Sequence, residues 1–259
     1  MLTKDTAVCI RAVDYSETSQ VVTFFTRSAG KITAIAKGSK RPRSAFGGPL
    51  EMFSHGRVVL SLPAKQKLAT LTEFEPQPGL SHLAGEQFSL NCCFFAAELL
   101  SCLTDEYDPH PALFDAFLQF LINIDATDDA QQQIRNTTSL LILFQLTLLR
   151  DVGLMPVLNY CVNCKTRYEI QDTPQDALRR RYEFYFSSSA NGLICRDCEA
   201  VFPDRIALSR SAAAVFSSLK LIAGTSRNVL SEIEKVLISH FTAILGRLPK
   251  MAKYILEKS

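Results

Sequence analysis

Apolar and β-branched residues recur in five short runs near the start of the chain: AVCIRAV (7–13), QVVTFFT (20–26), KITAIA (31–36), LEMFSHGRVVLSL (50–62) and KLATLTEF (67–74). Short apolar and β-branched runs bounded by turn signals predict five strands. SAGK, at 28–31, closes one hairpin and Pro63-Ala64-Lys65 another, while Gly56 interrupts the long fourth run where a barrel has to bend. Five strands with no helical repeat between them fit a small closed barrel such as an OB-fold. An SH3-like barrel is the competing topology, and strand counting does not separate the two.

The segment EPQPGLSHLAG, from Glu75 to Gly85, carries two prolines and two glycines without periodicity and reads as a linker. Beyond it the repeat changes to three and four residues in 86–103, 111–124 and 128–153, which predicts long helices around one core. Two more helices are expected at about Ser209–Ala223 and Ser226–Leu245, each opening on a serine able to cap its first turn. Helices on both sides of an aperiodic stretch suggest a bundle carrying an insertion at about 156–203. The fold class expected is therefore α+β multidomain: a five-stranded barrel domain over 1–80, then an all-α domain over 81–259 with that insertion.

Composition sharpens this division. The chain has 259 residues, is 47% hydrophobic and carries a formal net charge of +2, enough apolar material for a real core. The small net charge hides an asymmetry. Residues 1–80 hold 11 Lys and Arg against 6 Asp and Glu, whereas the remainder holds 17 against 20. A basic barrel suggests a polyanionic partner, because clustered cations attract phosphates and release their counterions. The N-terminus lacks the apolar core of a secretory signal, and the longest apolar stretch, LLILFQLTLL at 140–149, is half of what a bilayer span requires. A cytoplasmic protein without a membrane span is expected.

Eight cysteines in such a chain turn attention from disulfides to metal. CVNC at 161–164 and CRDC at 195–198 are two knuckles in which a two-residue spacing lets both thiolates reach one ion. Cys161, Cys164, Cys195 and Cys198 would complete a tetrahedral zinc site. RRYEFYFSS supplies a strand and SSSANG a turn, so a ribbon hairpin can span the thirty residues between the knuckles. Unbridged structural thiols, two disulfides and an iron–sulfur cluster are the competing readings. Four protein ligands leave no open position, so the site is expected to be structural rather than catalytic. Cys9, Cys92, Cys93 and Cys102 lie in apolar patterns and read as small core residues.

Phosphate-cradling, dinucleotide, nucleophile-elbow and metalloprotease motifs are all missing. None of His55, His82, His110 and His240 stands in a recognisable catalytic pattern, so no enzyme is expected. The remaining candidate chemistry is the loop KGSKRPRSAFGGP at 37–49, where a barrel strand gives way to Lys37, Lys40, Arg41 and Arg43. Nucleic-acid-binding barrels combine a positive groove with stacking rings. Arg27 and Lys31, around the preceding turn, are expected to extend the patch, with Phe46 and Phe53 as candidate stacking residues, although Phe24, Phe25 and Phe53 read more readily as core. A solvated charge run and a nuclear signal are the other readings of the loop. A second basic run, Arg179–Arg181, reads as a solvated hairpin.

ETSQVVTFFTRSAGKITAIAKGSKRPRSAFGGPLEMF, GLMPVLNYCVNC, NGLICRDC and LGRLPKMAKYI follow one another in the chain. In this order they resemble landmarks of the bacterial recombination mediator RecO family. The resemblance implies an OB-fold followed by a helical domain with a zinc ribbon. It also implies binding of single- and double-stranded DNA, annealing of complementary strands, and loading of RecA, together with RecR, onto DNA coated by single-stranded-DNA-binding protein. It carries the DNA-binding role onto Lys37, Lys40, Arg41 and Arg43 and the zinc ligands onto Cys161, Cys164, Cys195 and Cys198. The family further docks the acidic tail of single-stranded-DNA-binding protein in an apolar pocket of the helical domain, at positions no motif here identifies. A zinc-stabilised protein adaptor that binds no DNA is the alternative function.

Overall fold

The structure, a computed structural model, describes residues 2–62, 68–77, 86–124, 130–167 and 184–256. The expected turn at Pro63-Ala64-Lys65, most of the expected linker and the run Arg179–Arg181 lie outside the described residues. By compactness the chain forms two units, one of residues 1–85 and 99–125 and the other of residues 86–98 and 126–259.

The first unit holds β1 (Leu2–Asp14), β2 (Gln20–Thr26), β3 (Gly30–Ala36), β4 (His55–Ser61) and β5 (Ala69–Pro76) in a closed barrel of order β1-β2-β3-β5-β4. All neighbouring pairs are antiparallel except β3 with β5. This circuit, in which β1 pairs with both β2 and β4, is that of an OB-fold. The inward series includes Val22 and Phe24 on β2, Ile32 and Ala34 on β3, and Val58 and Leu60 on β4, all in the barrel core. The fourth strand starts only at His55, and Gly56 is needed for a reason other than bending: a Cβ there would stand 2.1 Å from the Glu75 carbonyl oxygen.

The parallel β3–β5 pairing is short, covering only Ala34↔Ala69 and Ile35↔Thr70. The vacant edge of β3 is filled from elsewhere: the Tyr107 N–H donates to the Lys31 carbonyl at 3.0 Å, and Lys31 bridges to Glu106. Phe25, on the outer face of β2, is buried against Phe114 of α2 (Pro111–Asn123), with ring centroids 6.0 Å apart. Gly30 sits in the β2–β3 turn at φ +73°, where a Cβ would lie 2.1 Å from the Asp108 carbonyl oxygen. Gly30→Ala therefore combines left-handed backbone strain with a clash against a main chain that cannot rotate away. It is expected to cost about 2 kcal/mol or more, read as a lower urea midpoint. An unchanged midpoint would show that the 104–110 segment yields freely.

The second unit contains α3 (Ala130–Asp151), α4 (Arg210–Ser217), α5 (Arg227–Leu245) and the short α6 (Ala252–Leu256), which the sequence pattern did not announce. α1 (Gln87–Leu103) begins in this unit, and its last residues count with the first. Ser209 caps α4 by accepting from the Ala212 N–H at 3.2 Å, whereas the Ser226 side chain caps nothing. The single helix expected over 209–223 breaks at Ser218, whose extended backbone (φ −145°, ψ 93°) hands the chain to a 3-10 turn at Leu219–Gly224. Three strands, β6 (Phe184–Ser187), β7 (Gly192–Cys195) and β8 (Ile206–Leu208), make a small sheet of order β7-β6-β8. β8 extends the ribbon sheet five residues beyond the insertion boundary read from sequence. Phe186 of β6 anchors the sheet on the helices, its ring 6.4 Å from Phe216 and edge-on to His240 at 5.2 Å.

Candidate nucleic-acid interface and metal centre

The loop after β3 is long, polar and glycine-rich, yet it is tied down. The Gln20 side chain, buried at the start of β2, accepts from the Ser39 hydroxyl and the Leu50 N–H, both at 2.9 Å, and donates to the Leu50 carbonyl at 3.1 Å. One amide thus fastens both ends of the loop to the barrel. The Gly38 N–H donates to Ser19 Oγ at 3.2 Å and the Lys40 N–H to the Thr18 carbonyl at 3.1 Å, joining the loop to the β1–β2 turn. Phe46 and Leu50 reach back into the barrel core. Phe46 and Phe53 are both buried: Phe53 is a core residue, the reading its pattern favoured, and Phe46 offers no stacking surface.

Lys37, Arg41 and Arg43 are exposed on this loop. Lys40 is half-buried, its ammonium 2.6 Å from Asp14. The other two expected cations have internal partners. The Arg27 guanidinium forks onto Asp115 of α2 through Nε and Nη2, both at 2.8 Å, and holds that carboxyl below its ordinary range. Lys31 donates through Nζ to the carbonyls of Ser101 and Thr104, at 2.6 and 2.5 Å, where the end of α1 leaves acceptors open. Burial pushes its pKa down, with Glu106 opposing. Thr33, next outward on β3, donates to Glu106 at 2.7 Å. The turn end of the β2–β3 face, a surface that nucleic-acid-binding barrels commonly use, is therefore covered here by residues 101–115. The loop end of the same face carries the exposed cations.

The four cysteines converge. The Sγ atoms of Cys161, Cys164, Cys195 and Cys198 all lie within 4.8 Å of one another, and Cys164 and Cys195 are 3.7 Å apart. A tetrahedral ion bound at about 2.3 Å needs ligand sulfurs about 3.8 Å apart, so the quartet fits a metal. The first knuckle closes on itself: the Cys161 N–H donates to the Thr166 carbonyl and the Lys165 N–H to the Cys161 carbonyl, both at 2.9 Å, with Lys165 at φ +64°. The second follows β7 directly, a 3-10 turn over Arg196–Val201 presenting Cys198. Backbone pairing unites the two, since Leu193 N–H donates to Val157 and Val162 N–H to Leu193, both at 2.9 Å. Gly192 makes the approach possible, because a Cβ there would meet the Val157 carbonyl oxygen at 2.5 Å.

Further donors suit thiolates. The Cys195 N–H points at Cys161 Sγ (3.4 Å), and the Asn163 amide donates to Cys198 Sγ (3.3 Å). Hydrogen bonding from Thr166 holds the Cys164 thiol down to about 6. With four protein sulfurs, such a centre cross-links the ribbon and leaves no coordination position for a substrate. Of the other cysteines, Cys9, Cys92 and Cys93 are buried as expected, whereas Cys102 is exposed.

Comparison with known proteins agrees with this architecture. Residues 1–78 match the family model described as recombination protein O N terminal, and residues 88–253 match recombination protein O C terminal. A protein named DNA repair protein RecO from Bacillus subtilis (strain 168) is 30% identical over 213 residues, covering 82% of this chain and 75% of that protein. One of the same name from Anaeromyxobacter dehalogenans (strain 2CP-C) is 30% identical over 217 residues, covering 84% and 78%. With both parts matched in order and the barrel, helices and cysteine quartet all present, the chain belongs to the recombination protein O family.

Proposed function

We propose that this protein is a DNA repair and recombination mediator that binds single- and double-stranded DNA through the barrel, anneals complementary strands, and makes or breaks no covalent bond. Its partners would be RecR, the acidic tail of single-stranded-DNA-binding protein and, downstream, RecA. The reading rests on the family's role in DNA repair. The observation that carries its physical part is the display of Lys37, Arg41 and Arg43 on a loop that Gln20 locks to the barrel. Fixed cations attract phosphates of any sequence, and a surface that neutralises two strands at once lowers their mutual repulsion without reading bases. The ion proposed for the cysteine centre is zinc, in a structural role. No helix among the described residues is long and apolar enough to cross a membrane; the proposed location is the cytoplasm, at the nucleoid when acting on DNA.

Replacing Lys37, Lys40, Arg41 and Arg43 together by alanine is expected to weaken DNA binding and flatten its salt dependence. The log-log slope should fall by about 0.7 to 0.9 for each phosphate that the variant no longer neutralises. Lys40, already paired with Asp14, should contribute least, and Arg27 and Lys31, turned toward α2 and α1, less than the exposed loop cations. An unchanged slope would remove the loop from the interface. Annealing of strands coated by single-stranded-DNA-binding protein tests the mediator role itself. Failure to accept coated strands, together with no DNA binding at micromolar protein, would favour a zinc-stabilised adaptor.

A further inference from the structure

We infer that the outer face of β1, β2 and β3, at the end beside the basic loop, is a subsite for the unpaired bases of a single strand, with Tyr15 as its stacking ring. The inference rests on the DNA-binding reading above and assigns a ligand group to a surface outside the charged loop. Beyond the irregularity between Cys9 and Arg11, Ala12 pairs with Val22 on the core side, so Arg11 and Val13 fall on the outside. Val13 pairs with Val21, Val21 with Ile35, and Ile35 with Thr70. An apolar row therefore crosses three strands of the barrel exterior and ends on a threonine. Val13 is 44% exposed, and Val21 and Ile35 are half-buried.

This row differs from the rest of the same face. One step away Thr33 is engaged by Glu106, and two steps away Phe25 is buried on Phe114. At the open end the Tyr15 N–H donates to the Ser19 carbonyl at 2.9 Å, which extends the β1–β2 ladder by one pair beyond Asp14↔Gln20. Tyr15 thus lies two positions past Val13 on the outer side, 66% exposed. Lys37 holds the corresponding place two positions past Ile35 and is also exposed. The bonds from Gly38 to Ser19 and from Lys40 to Thr18 keep the basic loop against the turn that carries Tyr15. Arg11, exposed and paired opposite Thr23, stands on the neighbouring outward row, two positions before Val13.

An aromatic ring and a shallow apolar row flanked by cations match one occupant, a strand whose phosphates meet Lys37, Arg41 and Arg43 while its bases lie on the sheet. Stacking uses only the π-face of a base and tolerates any sequence. It also requires that the face be free, which excludes bases stacked inside a duplex. Bases held this way keep their pairing edges outward, so the subsite presents a neutralised strand ready to meet its complement.

The test measures binding of the full-length protein, Tyr15→Ala and Tyr15→Phe to three labelled probes: a single-stranded oligonucleotide, its duplex, and a single strand of abasic sites. Tyr15→Ala should weaken binding to the intact single strand about fivefold or more, with Tyr15→Phe close to the parent protein. Duplex and abasic affinities should not move, nor should the salt slope, because the same phosphates stay neutralised. Equal weakening on all three probes, or none on the intact strand, would overturn the subsite. So would a concentration-dependent dimer that Tyr15→Ala dissolves, which would make the face an interface between copies. The DNA-binding reading fails separately: in that case the parent protein binds none of the probes. If the parent binds and the loop variant does not, while Tyr15→Ala matches the parent, the base subsite alone is refuted.

Discussion

Cys161→Ser is expected to release the bound metal and unfold the two knuckles while the barrel stays intact. Cys161 is buried, and its sulfur receives the Cys195 N–H, so it ties the proposed metal centre to β7. Apart from backbone pairing, the described residues give the knuckles little apolar packing. The buried apolar cluster at the centre consists of Cys161, Ile194 and Cys198 with a few half-buried neighbours. A core of that size does not offset the entropy of ordering the chain, and small units of this kind depend on a staple. Binding of a structural zinc is worth on the order of 10 kcal/mol or more, far above what the serine could recover. Metal analysis should find one equivalent in the parent protein and none in the variant. Amide exchange should lose protection at 157–166 and 192–201, while β6 and β8 keep part of theirs because Phe186 remains packed on Phe216. A parent protein purified without metal, or knuckle amides still protected in the variant, would rule out a metal-dependent ribbon.

The contrast between this centre and the basic patch shows what a sequence can carry. The cysteines were legible because two spacings of two, with a strand and turn between them, are a local signature, and the pairing of Val157 with Leu193 completed what that signature required. Five barrel strands were legible for a similar reason, since each run is locally rich in apolar and β-branched residues, although strict alternation of burial holds throughout only in β3. Their closure was not. Whether the barrel was OB-like or SH3-like depended on the β3–β5 and β1–β4 pairings, which join residues far apart in sequence and leave no local mark.

Charge was the least legible property. Arg27 and Lys31 look in sequence like Lys37 and Arg41, but Asp115 lies 88 positions from Arg27, and the carbonyls that engage Lys31 are those of Ser101 and Thr104. Phe46 misled in the opposite way. A ring among glycines and serines resembled an exposed stacking residue, yet the loop folds back under the control of Gln20 and sends that ring into the barrel. Tyr15, the exposed aromatic beside the loop, stood in a polar turn, and the signal that could have singled it out was its continuation of the outward series Arg11, Val13.

Glu234→Gln is expected to stabilise the second unit, and by an amount that grows with pH. Glu234 lies fully buried on α5, accepting from Gln145 Nε2 at 2.5 Å through Oε1. Among the described residues, Glu234 Oε2 and Gln145 Oε1 have no hydrogen-bond partner. A carboxylate leaves both oxygens acceptors, so the two orphans cannot satisfy one another; a protonated Oε2 can donate to the amide oxygen and complete the pair. Burial pushes the Glu234 pKa from its ordinary 4.5 to about 8. Between those values the folded chain holds a proton that the unfolded chain has released. Stability from this group is therefore fully present below about pH 4.5, declines as pH rises toward 8, and is level above. A glutamine amide donates where the acid would and never ionises. The advantage of the variant in urea unfolding should accordingly widen between pH 5 and pH 9, by about 4 kcal/mol. His240, whose pKa burial lowers, adds an opposing loss of stability as pH falls below its ordinary 6.5, but it is common to both proteins and cancels in their difference. A difference that stays constant with pH would mean that Glu234 folds ionised, with a cation or water supplying the partner for its second oxygen.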